Sequence, residues 1–328
     1  MQHMASTRSS SRGALPVVDL APFFSTAEDA AAARARATEA VREACMDTGF
    51  FRIVNHGVPR ELMARMLELS AAFFALPDEE KAKVLPAEGS SSTPLPAGYL
   101  RPPADSPDKN EYLLVFNPEL VLNMYLAEPA GFRDVIEECY AKLTNLGLLI
   151  QEILNECMGL PPGFLADYND DRNFDFLSLI RYFPATSTED TNGVSPHQDN
   201  TLITFVLQDD VGGLEILGSD GFVPVKPVEG TIITNIGDIV QVLSNKKFKS
   251  PTHRVVRKLG THRHSLAFFV NLHGDKWVEP LPQFAANVGE APRYRGFKYG
   301  DYMQLRLTNT THPPSNPEDA AGITHYAI

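Results

Sequence analysis

The sequence predicts an α+β fold in which helices come first and a mainly β core follows. Up to about residue 160, apolar residues recur by threes and fours in long segments, as they do on one face of a helix. Beyond Phe174 this spacing gives way to short β-type runs separated by Gly, Asp and Pro. Short strands at close intervals are typical of a sandwich or a barrel. We therefore expect such a core with helices around it.

The N-terminal part predicts two strands, two helices and a loop. Apolar runs at residues 15–20 and 49–54 predict strands, and helical spacing predicts helices over about 28–46 and 59–76. The second helix carries an apolar face that we assign to the core, formed by Leu62, Met66, Leu69 and Phe73. Residues 87–108 are rich in Ser and Pro and lack periodicity, so they predict a loop that is either a lid or disordered.

The longest predicted helix covers residues 132–160 and is followed by a Pro-Pro-Gly segment. Its apolar stripe recurs by threes and fours through Ile136, Cys139, Leu143, Leu146, Ile150, Ile153 and Cys157. A coiled coil is the alternative, but a single helix with a breaker after it favours a supporting role. We expect it to lie across the outside of a sheet.

The second half of the chain predicts the β core and a helical end. Its β-type runs cover residues 176–183, 201–207, 213–216, 221–225, 231–236 and 265–272. A helix is predicted over residues 299–308, and the segment 312–328 reads as irregular.

Composition excludes several classes of function. The net charge of -12 argues against a nucleic-acid surface, where clustered Lys and Arg are expected. No segment approaches the roughly 18 consecutive apolar residues of a membrane span, and the Ser- and Arg-rich N-terminus does not resemble a secretory signal. Three widely separated cysteines predict reduced, buried thiols in a cytoplasmic protein, and these are Cys45, Cys139 and Cys157.

A candidate metal site begins at His197 and Asp199, two positions apart just before an apolar run. On a strand, residues two apart share one face, so both side chains point the same way. A third ligand must come from elsewhere, and His253 is the candidate. Two histidines and one carboxylate form the facial triad of non-haem Fe(II) oxygenases. Zinc also accepts these ligands, and the pattern alone leaves surface or capping residues as an open alternative.

A candidate anion site follows at Arg263 and Ser265, which share one face of a predicted strand. A guanidinium offers a bidentate fork for a carboxylate, and the hydroxyl beside it adds a hydrogen bond. The pair suits the far carboxylate of a small keto-diacid whose near end chelates the metal. An ordinary solvated Arg is the alternative that spacing leaves open.

With these residues, the sequence resembles the isopenicillin-N-synthase-like, plant-type 2-oxoglutarate/Fe(II) dioxygenase family over nearly its whole length. The segments that carry the resemblance are 15–20, 47–57, 235–238, 244–245 and 248–250. The family's iron ligands fall on His197, Asp199 and His253, and its Arg-x-Ser pair for 2-oxoglutarate falls on Arg263 and Ser265. The resemblance implies a double-stranded β-helix, or jelly roll, with the iron near one mouth of the barrel.

The implied activity is hydroxylation or desaturation of a small hydrophobic or aromatic metabolite, with a flavonoid-like compound of specialised metabolism as first expectation. Fe(II), 2-oxoglutarate and O2 are the implied cofactors, with ascorbate in a supporting role, and succinate and CO2 are the implied products. The implied protein is a monomer that binds no nucleic acid and no membrane. Two alternatives remain: an oxidase of the same fold that uses no 2-oxoglutarate, and a non-catalytic jelly-roll binding protein.

The resemblance also implies one compact domain. Its expected parts are a disordered tail with a cloning scar at 1–14, a helical and strand region at 15–130, the jelly-roll core with its supporting helix at 131–310, and a C-terminal tail at 311–328.

The chain departs from many family members at residues 181–183, where Arg-Tyr-Phe replaces Asn-x-Tyr. A similar run occurs in the cephalosporin-forming member. We expect Tyr182 to contribute to the co-substrate site, although strand alternation turns it away from Arg181 and Phe183. These two are expected to shape the substrate pocket, and Arg181 either binds an acidic substrate or closes a salt bridge. The other expected substrate contacts are aromatic, namely Phe269, Tyr99 and Phe116.

Overall fold

The computed structural model describes residues 14–27, 30–86, 95–169, 171–311 and 319–328. Within these ranges the α-helices are α1 (Ala30–Asp47), α2 (Arg60–Ala75), α3 (Asp78–Lys81), α4 (Phe132–Met158), α5 (Phe164–Tyr168), α6 (Asp238–Leu243) and α7 (Tyr299–Thr311). Short 3-10 helices cover Ala21–Phe24, Ala82–Val84, Pro118–Leu120, Pro282–Phe284, Ala286–Val288 and Ile323–Tyr326.

The strands form a larger sheet, a smaller sheet and a short two-stranded ladder. In chain order they are β1 (Val17–Asp19), β2 (Phe50–Val54), β3 (Gly98–Leu100), β4 (Asn110–Phe116), β5 (Phe176–Tyr182), β6 (Asn192–His197), β7 (Ile203–Gln208), β8 (Leu214–Gly218), β9 (Gly221–Pro224), β10 (Ile232–Ile236), β11 (His253–Val256), β12 (Arg263–Val270), β13 (Trp277–Val278) and β14 (Phe297–Lys298). The larger sheet has the order β1-β2-β10-β7-β12-β5-β4-β3, and the smaller sheet has the order β6-β11-β8-β9.

The two sheets face each other and enclose a shared interior. One buried apolar cluster takes Phe50, Tyr182 and Ile233 from the larger sheet and Ile216 and Val255 from the smaller one. Except for the parallel pair of β1 and β2, the pairs within these sheets are antiparallel. This arrangement confirms the predicted jelly roll.

The outer face of the larger sheet is covered by helices. Along β12, Leu266, Phe268 and Val270 belong to the main core cluster, which also includes the buried stripe of α4. The rings of Tyr140 on α4 and Phe268 meet edge to face at 5.1 Å. The expectation that this long helix supports a sheet from outside is therefore confirmed, and its buried cysteines lie in the same core.

The predicted loop at 87–108 is only partly a loop. Residues 87–94 lie outside the described part of the chain, but Gly98–Leu100 forms β3 and pairs with β4. The sequence prediction missed β3, β11, β13 and β14, which have only two to four residues, and it also missed the seven-residue β4. It placed His197 and Asp199 on a strand but missed the start of β6, whose Asn-Gly-Val-Ser-Pro-His run contains residues that normally mark turns.

The C-terminal segment is more ordered than its composition predicts. Residues 323–326 form a 3-10 helix, and Ala327 pairs with Tyr294 through an isolated bridge. The ring of Tyr326 stacks on Phe297 at 4.1 Å, so the chain end packs onto the body of the domain. Residues 312–318, and residues 1–13 of the predicted tail 1–14, lie outside the described residues. Among the described helices, none is both long enough and apolar enough to cross a membrane.

Candidate metal centre

Two neighbouring strands of the smaller sheet carry the predicted histidine ligands. His197 is the last residue of β6, His253 is the first residue of β11, and the two are direct partners in the antiparallel ladder. Their ring centroids are 4.3 Å apart. The strand ends at His197, so Asp199 reaches the site from the segment beyond β6 rather than through strand alternation. Ladder pairing thus joins ligands that are distant in sequence.

The three side chains converge on one point. Oδ1 of Asp199 lies 3.5 Å from Nε2 of His197 and 3.6 Å from Nε2 of His253. Their ligand atoms all lie within 4.8 Å of one another, and no other such group occurs among the described residues. Three ligands on one side of a metal leave the remaining positions open for small molecules, as in the non-haem iron triad.

Hydrogen bonds orient each ligand toward that point. Nδ1 of His197 donates to the carbonyl of Ser195 at 2.8 Å, and Nδ1 of His253 donates to the carbonyl of Pro251 at 3.1 Å. A carbonyl only accepts, so the proton sits on Nδ1 and the lone pair of Nε2 faces the site.

The carboxylate of Asp199 is fixed in the same way. Its Oδ2 accepts hydrogen bonds from Thr204 at 2.7 Å and from Asn235 at 2.8 Å. These hydrogen bonds to Oδ2 orient the carboxylate so that Oδ1 faces the histidines, and carboxylates that bind metals are commonly oriented in this way.

The protonation states also suit a metal. Burial alone would raise the pKa of Asp199, but His253 and His197 lower it below its usual value. Burial lowers the pKa of His253 to about 4. For His197, burial acts downward, but the hydrogen bond and charge of Asp199 raise its pKa. Asp199 is therefore ionised and His253 unprotonated at neutral pH, as metal ligation requires.

Arg263 is the buried charge of the barrel interior. It is only 1% exposed, and no carboxylate among the described residues lies within ion-pair distance of it. Its guanidinium donates to Ser265 at 3.1 Å and to Oε1 of Gln208 at 2.9 Å, and it lies 4.6 Å from the ring centre of Tyr182. Nε of Arg263 and Nε2 of Gln208 are buried without a hydrogen-bond partner. A buried cation with unused donors fits an anionic ligand.

The structure places Arg181 on the other face of β5 from Tyr182, on the helix side of the sheet. Its guanidinium pairs with the buried carboxylate of Glu111, and it lies 5.3 Å from the ring centre of Phe183. Tyr99 also belongs to this group, since its hydroxyl donates to Glu111 at 2.5 Å. The salt-bridge alternative therefore describes Arg181, and the structure does not support a pocket role for Arg181, Phe183 or Tyr99.

Phe269 and Phe116 do lie on the interior side, and a third aromatic residue joins them. Phe176 packs at 4.6 Å from Phe269 and at 5.5 Å from Phe116. By strand alternation Phe269 shares its face of β12 with Ser265, so this aromatic group lies along the same interior wall. Sequence reasoning missed Phe176 and Gln208, although Phe176 begins the predicted run at 176–183 and Gln208 directly follows the one at 201–207.

The comparisons with known proteins agree with this geometry. The model of the 2OG-Fe(II) oxygenase superfamily matches residues 174–272, and that of the N-terminal region of non-haem dioxygenase in morphine synthesis matches residues 15–115. A protein of Oryza sativa subsp. japonica, 2-oxoglutarate-dependent dioxygenase 19, is 32% identical over 321 residues, or 95% of this chain and 91% of the relative. The chain belongs to the 2OG-Fe(II) oxygenase superfamily.

Other members of the superfamily are similar at comparable levels. Naringenin,2-oxoglutarate 3-dioxygenase of Matthiola incana is 34% identical over 273 residues, covering 81% of this chain and 74% of the relative. The crystal structure of JOX2 in complex with 2OG, Fe and JA has a TM-score of 0.78 at 29% identity, covering 95% of this chain and 91% of that one. The dioxygenase for auxin oxidation of rice has a TM-score of 0.74 at 26% identity, covering 96% and 100%.

The enzyme is therefore a 2-oxoglutarate- and Fe(II)-dependent dioxygenase. The family, the jelly-roll fold and the cofactors Fe(II), 2-oxoglutarate and O2 that the sequence implied are confirmed.

Proposed function

We propose that this dioxygenase hydroxylates or desaturates a small, apolar and aromatic metabolite, with a flavonoid-like compound as the first candidate. In this proposal His197, Asp199 and His253 hold Fe(II), and Arg263 with Ser265 binds the far carboxylate of 2-oxoglutarate. The observation that carries it is the buried guanidinium of Arg263, which forms no ion pair with a carboxylate among the described residues.

The residues around Arg263 prepare it for a carboxylate. Oε1 of Gln208 accepts a hydrogen bond from the guanidinium of Arg263, and the ring of Tyr182 lies against the same group. The guanidinium is therefore held in place before 2-oxoglutarate binds. Ser265 offers its hydroxyl, and the unused Nε2 of Gln208 is a further donor on the same wall. When bound, Fe(II) and 2-oxoglutarate supply the oxidising chemistry with O2, and succinate and CO2 are released.

The substrate end of the pocket is aromatic. Phe116, Phe176 and Phe269 form an apolar wall of rings tilted against one another, and such a wall suits a planar aromatic ring. A relative named naringenin,2-oxoglutarate 3-dioxygenase supports an aromatic substrate class. We also propose that the protein acts as a monomer in the cytoplasm, which agrees with its buried, unpaired cysteines.

The test is succinate formation by the purified protein with Fe(II), 2-oxoglutarate and O2 against a panel of flavanones and other aromatic metabolites. We expect substrate-dependent succinate that His197→Ala and Asp199→Ala abolish. Arg263→Met removes charge-assisted hydrogen bonds of about 1.5–3 kcal/mol each, so the KM for 2-oxoglutarate should rise at least tenfold.

The possible failures are separable. Oxygen consumption without succinate would identify an oxidase of the same fold, and neither signal with any compound would favour a binding protein. Retained activity in His197→Ala would mean that the metal ligands are misassigned.

A further inference from the structure

The peptide between two of the metal ligands is held from outside the barrel. Gln198 separates His197 from Asp199, and its carbonyl accepts a hydrogen bond from the guanidinium of Arg306 at 2.6 Å. Its side chain donates to the carbonyl of Ser250 at 2.6 Å. The segment between the ligands is therefore fixed through its backbone and through its side chain.

Arg306 lies on α7 and makes a second set of contacts with α6. Its guanidinium lies 3.4 Å from the buried carboxylate of Asp238. The same carboxylate accepts a hydrogen bond from the hydroxyl of Tyr302 at 2.5 Å. The backbone N–H of Asp238 donates in turn to the carbonyl of Asp199 at 2.8 Å. The guanidinium of Arg306 thus bridges Gln198 and Asp238, which are both bonded to Asp199: Gln198 through the chain and Asp238 through its backbone hydrogen bond.

We propose that Arg306 is a positioning residue for the metal centre, which it acts on through the carbonyl of Gln198. The inference rests on the proposed function, since it assumes that His197 and Asp199 ligate the metal. The direction of the Gln198 carbonyl sets the tilt of the peptide that joins the two ligands, and with it the angle at which they approach the metal. Helix α7 thereby contributes to metal affinity without supplying a ligand.

Arginine is suited to this position because its planar fork reaches two acceptors in fixed directions. At 16% side-chain exposure, its contacts are largely shielded from water. A lysine places a single ammonium at the end of a flexible stem. It would retain the positive charge but not the simultaneous contacts with Gln198 and Asp238.

The experiment measures Co(II) binding to the metal-free protein by its d–d absorption spectrum and by titration calorimetry, without 2-oxoglutarate or substrate. We expect Arg306→Met to weaken Co(II) binding by about tenfold or more, which is the usual effect of replacing a residue that orients metal ligands through hydrogen bonds. The d–d bands should shift as well. Arg306→Lys should fall between this variant and the wild type, and it carries the test by itself if Arg306→Met does not fold.

The matched control is Arg295→Met. Arg295 also lies near the C-terminus and donates to a backbone carbonyl, that of His325, at 2.7 Å. The same substitution there removes an Arg–carbonyl bond without touching the metal segment, so the Co(II) affinity and spectrum should not change.

The outcomes distinguish this inference from the one on which it rests. If Arg306→Met and Arg306→Lys keep the wild-type Co(II) affinity and spectrum and only lower Tm, Arg306 merely anchors α7 and the proposal is overturned. If the wild type binds Co(II) no more tightly than His197→Ala, the proposed metal ligands themselves are wrong, and the role of Arg306 falls with them.

Discussion

Gln208 illustrates how a single side chain can prepare the proposed co-substrate pocket. It is the direct cross-strand partner of Ser265, and its Oε1 accepts a hydrogen bond from Arg263. The residue was not predicted from the sequence, because the register between β7 and β12 decides which residue of the 201–207 run and its edge meets Ser265. Arg263 and Ser265, by contrast, were predictable, since they lie two apart on one strand.

Replacing Gln208 with Glu tests whether Arg263 must be free of an ion pair in order to bind the carboxylate of 2-oxoglutarate. The new carboxylate would pair with Arg263 and repel the far carboxylate of 2-oxoglutarate. We expect the KM for 2-oxoglutarate to rise tenfold or more, equivalent to about 1.4 kcal/mol, while Tm increases. Steady-state kinetics and thermal unfolding measure the two effects.

The control for Gln208→Glu is the same change at Gln304, an exposed residue of α7. That variant should alter neither the KM nor Tm appreciably. An unchanged KM in Gln208→Glu would show that the carboxylate of 2-oxoglutarate binds elsewhere.

At the scale of secondary-structure elements, β5 separates two different environments. Tyr182 lies on its interior face against Arg263, whereas Arg181 lies on its outer face against Glu111. The ladder between β4 and β5 places Glu111 directly opposite Arg181. The sequence left the partner of Arg181 open because β4 itself was not predicted, and a salt bridge between strands cannot be inferred without both strands.

Glu111 joins several elements through one buried carboxylate. Besides Arg181 and Tyr99, it contacts Lys81 at 3.3 Å and Arg101 at 2.7 Å. Burial by itself would raise the pKa of Glu111, but the hydrogen bonds from Tyr99 and Arg101 lower it. The carboxylate is therefore ionised and compensates the cations around it.

Glu111→Gln should destabilise the fold strongly, because it removes the buried carboxylate that pairs with Arg181 and Lys81. Lys81 then keeps only its pair with the exposed Asp78. Breaking a buried ion pair from one side reduces the free energy of unfolding by about 3–5 kcal/mol. Urea denaturation measures this loss. The control is Glu215→Gln, which opens the partly exposed pair with Arg254 and should change stability by about 1 kcal/mol or less. An equally small change for Glu111→Gln would contradict a compensating role.

For the whole molecule, the order of helices, β core and C-terminal helix was predictable from periodicity, and so was the outer position of α4. The assembly of the triad was not derivable from spacing alone, since β11 has only four residues and β6 contains turn-type residues and no apolar alternation. The family resemblance supplied that step, and the His197–His253 ladder gives its physical basis.

The stability of the whole domain should depend on pH through His264, on the outer face of β12. Burial, followed by the charge of Arg181, lowers its pKa to about 4. Below about pH 6.5 the unfolded chain binds a proton that the folded chain does not, so stability falls as the pH decreases from 6.5 toward 4. We expect the wild type to lose about 2 kcal/mol more than His264→Phe between pH 7 and pH 5.

Denaturant unfolding at both pH values measures that difference. Parallel curves for the wild type and His264→Phe would show that His264 accepts its proton in the folded state as readily as in the unfolded chain.

The direct pairing of His197 with His253 has a consequence for how the chain folds. Because side chains alternate along a strand, a slip of β11 by one residue would place Arg254 or Thr252 opposite His197. Only the correct register assembles the complete set of proposed ligands, so a metal bound there would stabilise that alignment and no shifted one. The ion would then select the correct alignment of β6 and β11 as the chain folds. Removing the metal with a chelator during refolding should slow or misdirect assembly of the smaller sheet.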